Sequence, residues 1–193
     1  MGASYGLTAT DLRIDRTRVD VRQHAAALSL RRTMDGGWSL GGTVGVLAGG
    51  SLLVAGRLHA LGPGGAVSVS GSREWLHDER RHLFLATTWA AAITLAPTVT
   101  RQHQRGLYGA VDVSLALAVG GTIANVWSPY LSARAFGGPV WMTEVGGPVP
   151  GHDPDHHSLG CGSVLTLPKH VELGLDAALL GAQGLTASVG ASF

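Results

Sequence analysis

Larger apolar side chains alternate with smaller ones along several segments of this chain. From Leu83 onward, every second residue is mostly large and apolar, whereas the residues between are mostly small. The larger face is Leu83, Leu85, Thr87, Trp89, Ala91, Ile93 and Leu95, and the smaller face is Phe84, Ala86, Thr88, Ala90, Ala92, Thr94 and Ala96. Since successive side chains of a strand point to opposite sides, this pattern predicts a two-faced β-strand.

The same division recurs in segments 107–117, 171–179 and 185–193. Extended to the whole chain, it predicts about ten strands, at 4–13, 18–31, 38–48, 65–75, 82–96, 106–118, 127–143, 157–167, 170–179 and 184–193. In the second strand, Val21 and Ala25 share a face that excludes Leu28, so we expect a bulge there. The seventh is irregular at 137–139, where two glycines precede a proline.

Two uncharged stretches, 38–56 and 83–100, are long enough to be transmembrane helices. The first holds six glycines and the second five threonines, which disfavours helix, although membrane helices tolerate glycine. A helical membrane protein and a soluble β-sandwich or lipocalin-like barrel are therefore the alternatives to a membrane barrel.

Composition favours the membrane barrel. Charged residues make up 14% of the chain, against about a quarter in an average soluble domain. So few charges cannot cover a water-exposed surface, whereas a lipid-facing wall does not need them. A net charge of +1 gives no indication of nucleic-acid binding, and the single cysteine, Cys161, excludes an internal disulfide.

We therefore predict an all-β fold, a closed antiparallel up-and-down transmembrane β-barrel that forms one domain over 1–193. The apolar face would contact lipid and the small face the lumen. An even strand count puts both termini at the periplasmic end, and the longest connections, 49–64, 97–105 and 144–156, then all become extracellular loops. Met1–Tyr5 lacks the features of a signal peptide, so we expect a mature or trimmed form, or a misassigned start.

Aromatic residues cluster near predicted strand ends, where their amphipathic rings suit the membrane–water interface. The predicted interface aromatics are Tyr5, Trp38, Trp75, Trp127, Tyr130, Trp141 and Phe193.

The last segment, 185–193, alternates and ends in Phe193, and it resembles the C-terminal strand of bacterial outer-membrane barrels. Segments 135–140 and 179–183 extend the resemblance to uncharacterised outer-membrane barrel proteins over 129–193, although Ser188 stands where that family often has glycine. The resemblance implies a bacterial outer-membrane location, the lipid bilayer as surroundings and the outer-membrane assembly machinery as a partner. It implies no known activity.

Chemistry-bearing residues are few, and no nucleotide-binding, hydrolase or zinc-protease motif is present. The stretch 151–157 offers candidate metal ligands, namely His152, Asp153, Asp155, His156 and His157. The candidate lumen charges are Asp112, Arg134, Glu172 and Asp176. Asp112 and Arg134 fall on neighbouring strands, so we expect them to pair inside the barrel.

These observations predict a non-enzymatic outer-membrane protein without a cofactor, either a structural component or a narrow non-specific pore. The alternative is an outer-membrane hydrolase of lipid, lipopolysaccharide or peptide, with a His/Asp site on an extracellular loop. A binding or adhesion module that uses the outer loops is neither supported nor excluded.

Overall fold

The structure is a computed structural model that describes residues 1–14, 17–54, 57–78, 82–100, 105–144, 147–153 and 156–191. These residues form thirteen strands and two short 3₁₀ turns, at Asp35–Gly37 and Pro168–His170. The strands are β1 (Gly2–Ile14), β2 (Thr17–Met34), β3 (Trp38–Val54), β4 (Arg57–Leu61), β5 (Gly64–Asp78), β6 (Leu83–Thr100), β7 (Arg105–Gly121), β8 (Trp127–Gly137), β9 (Pro139–Glu144), β10 (Gly147–His152), β11 (His157–Leu167), β12 (Val171–Gly181) and β13 (Gln183–Ala191).

The first and last strands close the sheet into a barrel. They pair antiparallel from Gly2 opposite Gly190 to Ala9 opposite Gln183. The N-terminal ammonium of Met1 also donates a hydrogen bond of 2.7 Å to the carbonyl oxygen of Ala191. β4 continues into β5, β8 into β9 and β10 into β11, so the described residues form a wall of ten antiparallel barrel strands. The predicted fold is confirmed.

Both predicted irregularities are present. The β2–β3 register shifts between Gln23 and Ala25, which is the expected bulge. The seventh barrel strand is interrupted at Gly138, between β8 and β9. A further interruption falls at Gly62 and Pro63, between β4 and β5, where the amide of Gly62 donates to the carbonyl oxygen of Pro97. These breaks bend the wall without opening it.

The three connections predicted as long loops, 49–64, 97–105 and 144–156, are mostly strand. β3 runs to Val54 and pairs with β4, and β9 pairs with β10, so these segments are hairpins that extend the wall. β10 also pairs with β1, at Arg13 opposite His152, beyond the end of the shorter β13. The glycines and prolines that suggested loops mark bends within paired strands.

The outer wall is apolar. The most exposed side chains include Leu28, at 70% of its full surface, and Val44 and Leu131, each at 64%. On β2, the exposed His24 and Arg32 flank an outward stretch that contains Leu28 and Leu30. Eight residues of tilted strand span roughly 20 Å across the membrane, close to the ~25 Å apolar band of such barrels. The wall is built to contact lipid.

No helix in the described residues is long and apolar enough to cross a membrane.

Cys161 faces lipid in this register. Its cross-strand partner Leu131 points outward, whereas the adjacent Gly162 lies opposite the inward Tyr130 and Asp176. In liposomes, Cys161 should therefore react with a membrane-permeant maleimide and resist an impermeant one. As a control, Ser132→Cys in a Cys161→Ser background places the thiol in the lumen and should react with both. Rapid reaction of Cys161 with the impermeant reagent would contradict the register.

Candidate functional site: the barrel lumen

The lumen contains a cavity of about 590 Å³. Small side chains form most of its wall, including Ala116, Ala118, Ser132 and Thr186, because the smaller face of each strand points inward. Three of the four predicted lumen charges line it: Asp112 on β7, Arg134 on β8 and Asp176 on β12. An interior cavity of this size is consistent with the small inner face seen in the sequence.

Asp112 and Arg134 form the predicted ion pair. A guanidinium nitrogen, Nη2, of Arg134 donates to Oδ2 of Asp112 at 2.6 Å. Ala116 is the direct partner of Arg134, so the long arginine side chain reaches four residues along β7 to make the contact. The two side chains remain 45% and 34% exposed, so the pair lies inside the barrel but is not fully buried. A pair with this much access to water is held only weakly.

The guanidinium of Arg134 also lies 5.1 Å from the centre of the Phe136 ring. This cation–π contact and the carboxylate of Asp112 hold the arginine from two sides. Arg134 is therefore positioned by the wall as well as by its counter-charge.

Tyr130 faces the lumen and is not an interface aromatic, which corrects that prediction. Its hydroxyl donates a hydrogen bond to Asp176, and its ring lies over Gly162 on the neighbouring strand β11. A Cβ added to Gly162 would overlap the phenol and a carboxylate oxygen of Asp176. Only glycine leaves room for this ring against the wall, so Gly162 and Tyr130 are packed as a matched pair.

Glu172 lies apart from the other charges. Alternation along β12 puts it on the same side as Asp176, but it is exposed near the first residue of the strand and does not line the cavity. It therefore belongs to the rim of the lumen.

A buried apolar cluster lies inside the barrel toward the end away from the termini. Its members come from β2, β3, β4, β6, β7 and β9, and they are Val21, Leu47, Leu61, Ala96, Tyr108, Val140 and Met142. Met142 is the most deeply placed large side chain, at 2% exposure. Val21, Tyr108 and Val140 also line the cavity, so the polar space borders this apolar cluster directly.

The His/Asp stretch does not assemble in the described residues. His152, His156 and His157 are exposed, whereas Asp153 is buried and lines the lumen cavity. No group of three or more His, Cys, Asp or Glu side chains suited to a metal occurs in the described part of the chain. Asp155 lies outside the described residues. His152 is the last residue of β10 and His157 the first of β11, so the stretch lies at the junction of these two strands.

The other predicted interface aromatics have different surroundings. Tyr5, Trp38, Trp75 and Trp127 are exposed, with Tyr5 donating to or accepting from Nδ1 of His24 at 2.8 Å. Trp141 is half-buried, and its ring covers Gly109 on β7. Phe193 lies outside the described residues.

The sequence did not predict the apolar cluster or the Tyr130–Asp176 contact. Period-two alternation assigns a face to each residue but not a height along the barrel. The large residues Leu47, Tyr108 and Met142 on otherwise small inner faces were the available signal for the cluster. For Tyr130, alternation with Leu131 was the signal, since the two cannot share a face.

Comparison with known proteins gives the fold. The chain is similar to the translocator domain of the autotransporter NalP from Neisseria meningitidis, with a TM-score of 0.56 and 9% identity, over 100% of this chain and 87% of that one. It also matches the transport unit of autotransporter AIDA-I from Escherichia coli (TM-score 0.48, 9% identity, 100% and 89% covered). A third match is the beta domain of the Bordetella autotransporter BrkA (TM-score 0.46, 14% identity, 100% and 99% covered).

No protein-family model matches the chain, and no curated protein does. The closed barrel, its apolar wall and the likeness of its fold to the NalP translocator domain are those of a bacterial outer-membrane β-barrel, embedded in the lipid bilayer.

The Asp112–Arg134 pair should show weak but measurable coupling. In guanidinium unfolding of the lipid-embedded barrel, a double-mutant cycle of Asp112→Ala and Arg134→Ala should give about 0.5–1 kcal/mol, because water in the cavity screens the charges. A coupling of about 3–5 kcal/mol would show that the pair is dry, as a fully buried pair would be. Zero coupling would show that the contact does not contribute to stability.

Gly162→Ala should destabilise the barrel by about 1–3 kcal/mol, because the new methyl group must displace the Tyr130 ring and the Asp176 carboxylate. Gly65→Ala is the matched control, since its nearest neighbour, the carbonyl oxygen of Gly45, lies 3.9 Å from the added Cβ. The measurement is the guanidinium unfolding midpoint of both variants. Equal midpoints would contradict the packing of Tyr130 over Gly162.

Proposed function

We propose that residues 1–193 act as one barrel domain with a non-enzymatic, structural role in the outer membrane, and that its lumen does not conduct ions at rest. The buried apolar cluster carries this proposal. An apolar constriction in a narrow lumen excludes water and so opposes ion passage. Barrels of eight to ten strands also have interiors that side chains fill readily.

The narrow-pore hypothesis differs from this proposal in one respect only, namely that ions would pass the apolar cluster. The cavity beside it is lined by three carboxylates, those of Asp112, Asp153 and Asp176, and by one guanidinium, so the polar part of the lumen suits small ions. The proposal is that Leu47, Met142 and their neighbours stop those ions before the far end of the barrel.

No observation on the described residues favours the hydrolase alternative. A hydrolase site needs a base beside an orienting or ligating group. His152, His156 and His157 are exposed, while Asp153 is buried and lines the lumen cavity, so these side chains lie in different surroundings.

Insertion by the outer-membrane assembly machinery is part of the proposal. It is supported by the resemblance of segment 185–193 to the terminal strand of outer-membrane barrels. β13 also closes the barrel by pairing with β1, which makes it the strand whose placement completes the fold.

Planar-bilayer recording tests the closed lumen. The unmodified barrel should give no steady channel currents, whereas Leu47→Ala combined with Met142→Ala should give discrete events, because the shortened side chains admit water. Leu115→Ala combined with Leu131→Ala removes a similar volume from the lipid face and should stay silent. Steady current through the unmodified barrel would instead establish a pore, and a silent lumen double variant would show that the cluster is not the barrier.

A further inference from the structure

An arginine on the outer wall is held between two tryptophans. The guanidinium carbon Cζ of Arg73 lies 3.9 Å from the centre of the Trp75 ring and 5.1 Å from the centre of the Trp38 ring. Trp38 is the cross-strand partner of Arg73, and the indole nitrogen of Trp75 donates to Oγ1 of Thr87 at 2.8 Å. Register and hydrogen bonding therefore fix both rings. We call Trp38, Arg73 and Trp75 the arginine clamp.

The clamp faces outward at one edge of the membrane. Val67 and Val69, which share the face of Arg73 on β5, are among the exposed apolar residues of the wall. Trp38 is the first residue of β3, directly after a turn at the end of the barrel where the termini lie. In bacterial barrels this end is periplasmic, since the hairpins that extend the wall, β3–β4 and β9–β10, lie at the opposite, extracellular end. The clamp thus lies at the level of the periplasmic leaflet's headgroups.

The guanidinium of the clamp has an unmet hydrogen-bonding need. Its Nε atom is buried and has no hydrogen-bond partner among the described residues. Glu74, the nearest acid in sequence, lies opposite the inward Ala86 and so alternates to the other side of the wall. Because Nε itself is buried, an external acceptor can reach this half-buried side chain only at its terminal N–H groups.

The geometry also defines the kind of acceptor. Both ring distances are measured to the guanidinium carbon, and the N–H groups of a guanidinium lie in its plane. A planar fork of N–H donors matches the oxygens of a phosphate. Arg32, exposed on β2, adds a second positive charge to the same outer wall.

We propose that the arginine clamp binds the phosphate of a phospholipid in the periplasmic leaflet. The ligand is a lipid because the clamp continues into apolar wall toward the membrane centre, where Leu40 and Val69 offer a surface for acyl chains. Tryptophan rings at this level suit the boundary between headgroup and chain. The phosphate accepts hydrogen bonds from the terminal N–H groups of Arg73, and the acyl chains cover the adjacent wall.

Native mass spectrometry of the barrel released from nanodiscs tests this assignment. The nanodiscs contain equal amounts of phosphatidylglycerol and a phosphate-free glycolipid with the same acyl chains. The unmodified barrel should retain the phospholipid about tenfold more than the glycolipid, and Arg73→Gln should lower that preference about tenfold, as the loss of a charge-assisted hydrogen bond predicts. Arg22→Gln, an exposed arginine toward the other end of β2, should leave the preference unchanged.

Several results would overturn the proposal. They are an unchanged preference in Arg73→Gln, equal retention of both lipids by the unmodified barrel, and competition by soluble glycerol phosphate at concentrations equal to those of the lipid. Should Arg73→Gln fail to fold, as judged by heat-modifiable electrophoretic mobility, the comparison of the two lipids on the unmodified barrel still decides. Arg73→Lys then serves as the second variant: it keeps the charge but loses the planar fork, so its preference should be reduced only partly.

Discussion

Every backbone N–H and C=O group in the lipid-facing wall must find a partner within the protein, because lipid offers none. That requirement makes the seam between β1 and β13 the contact on which the rest of the structure depends. The pairs from Gly2–Gly190 to Ala9–Gln183 satisfy two strands that would otherwise be open edges. Beyond the end of β13, β1 pairs with β10 instead, so the barrel remains closed where β13 has ended.

Closure of the barrel also separates the side chains into two environments, the lipid outside and the lumen inside. Alternation directs Leu28 and Leu131 to lipid, and it directs Asp112, Arg134 and Asp176 to a cavity. An arginine or lysine that faces lipid at mid-depth costs about 2–4 kcal/mol in such barrels, and an aspartate or glutamate costs less. The inward placement of these groups follows from that cost, and their pairing with one another or with Tyr130 follows from the small volume they share.

The sequence predicted the sides of the wall far better than the heights along it. Period two assigned Asp112, Arg134 and Cys161 to their faces, because a strand leaves each side chain only two directions. It could not place the end of β3 or the strands β4 and β10, since glycines and prolines within a paired hairpin look the same in sequence as those in a loop. Position near a strand end led to the wrong assignment of Tyr130, where alternation with Leu131 would have given the right one.

Two arginines show how the barrel accommodates the same charge on the two sides of its wall. Arg134, inside, has a carboxylate, the Phe136 ring and access to the cavity. Arg73, outside, contacts the rings of Trp38 and Trp75, and its Nε has no acceptor among the described residues. An arginine on a lipid-facing wall is tolerated near the headgroups, where the cost of charge falls to about 0–1 kcal/mol. The guanidinium of Arg134 therefore has its partners within the fold, whereas the guanidinium of Arg73 finds its acceptor in the membrane that surrounds the barrel.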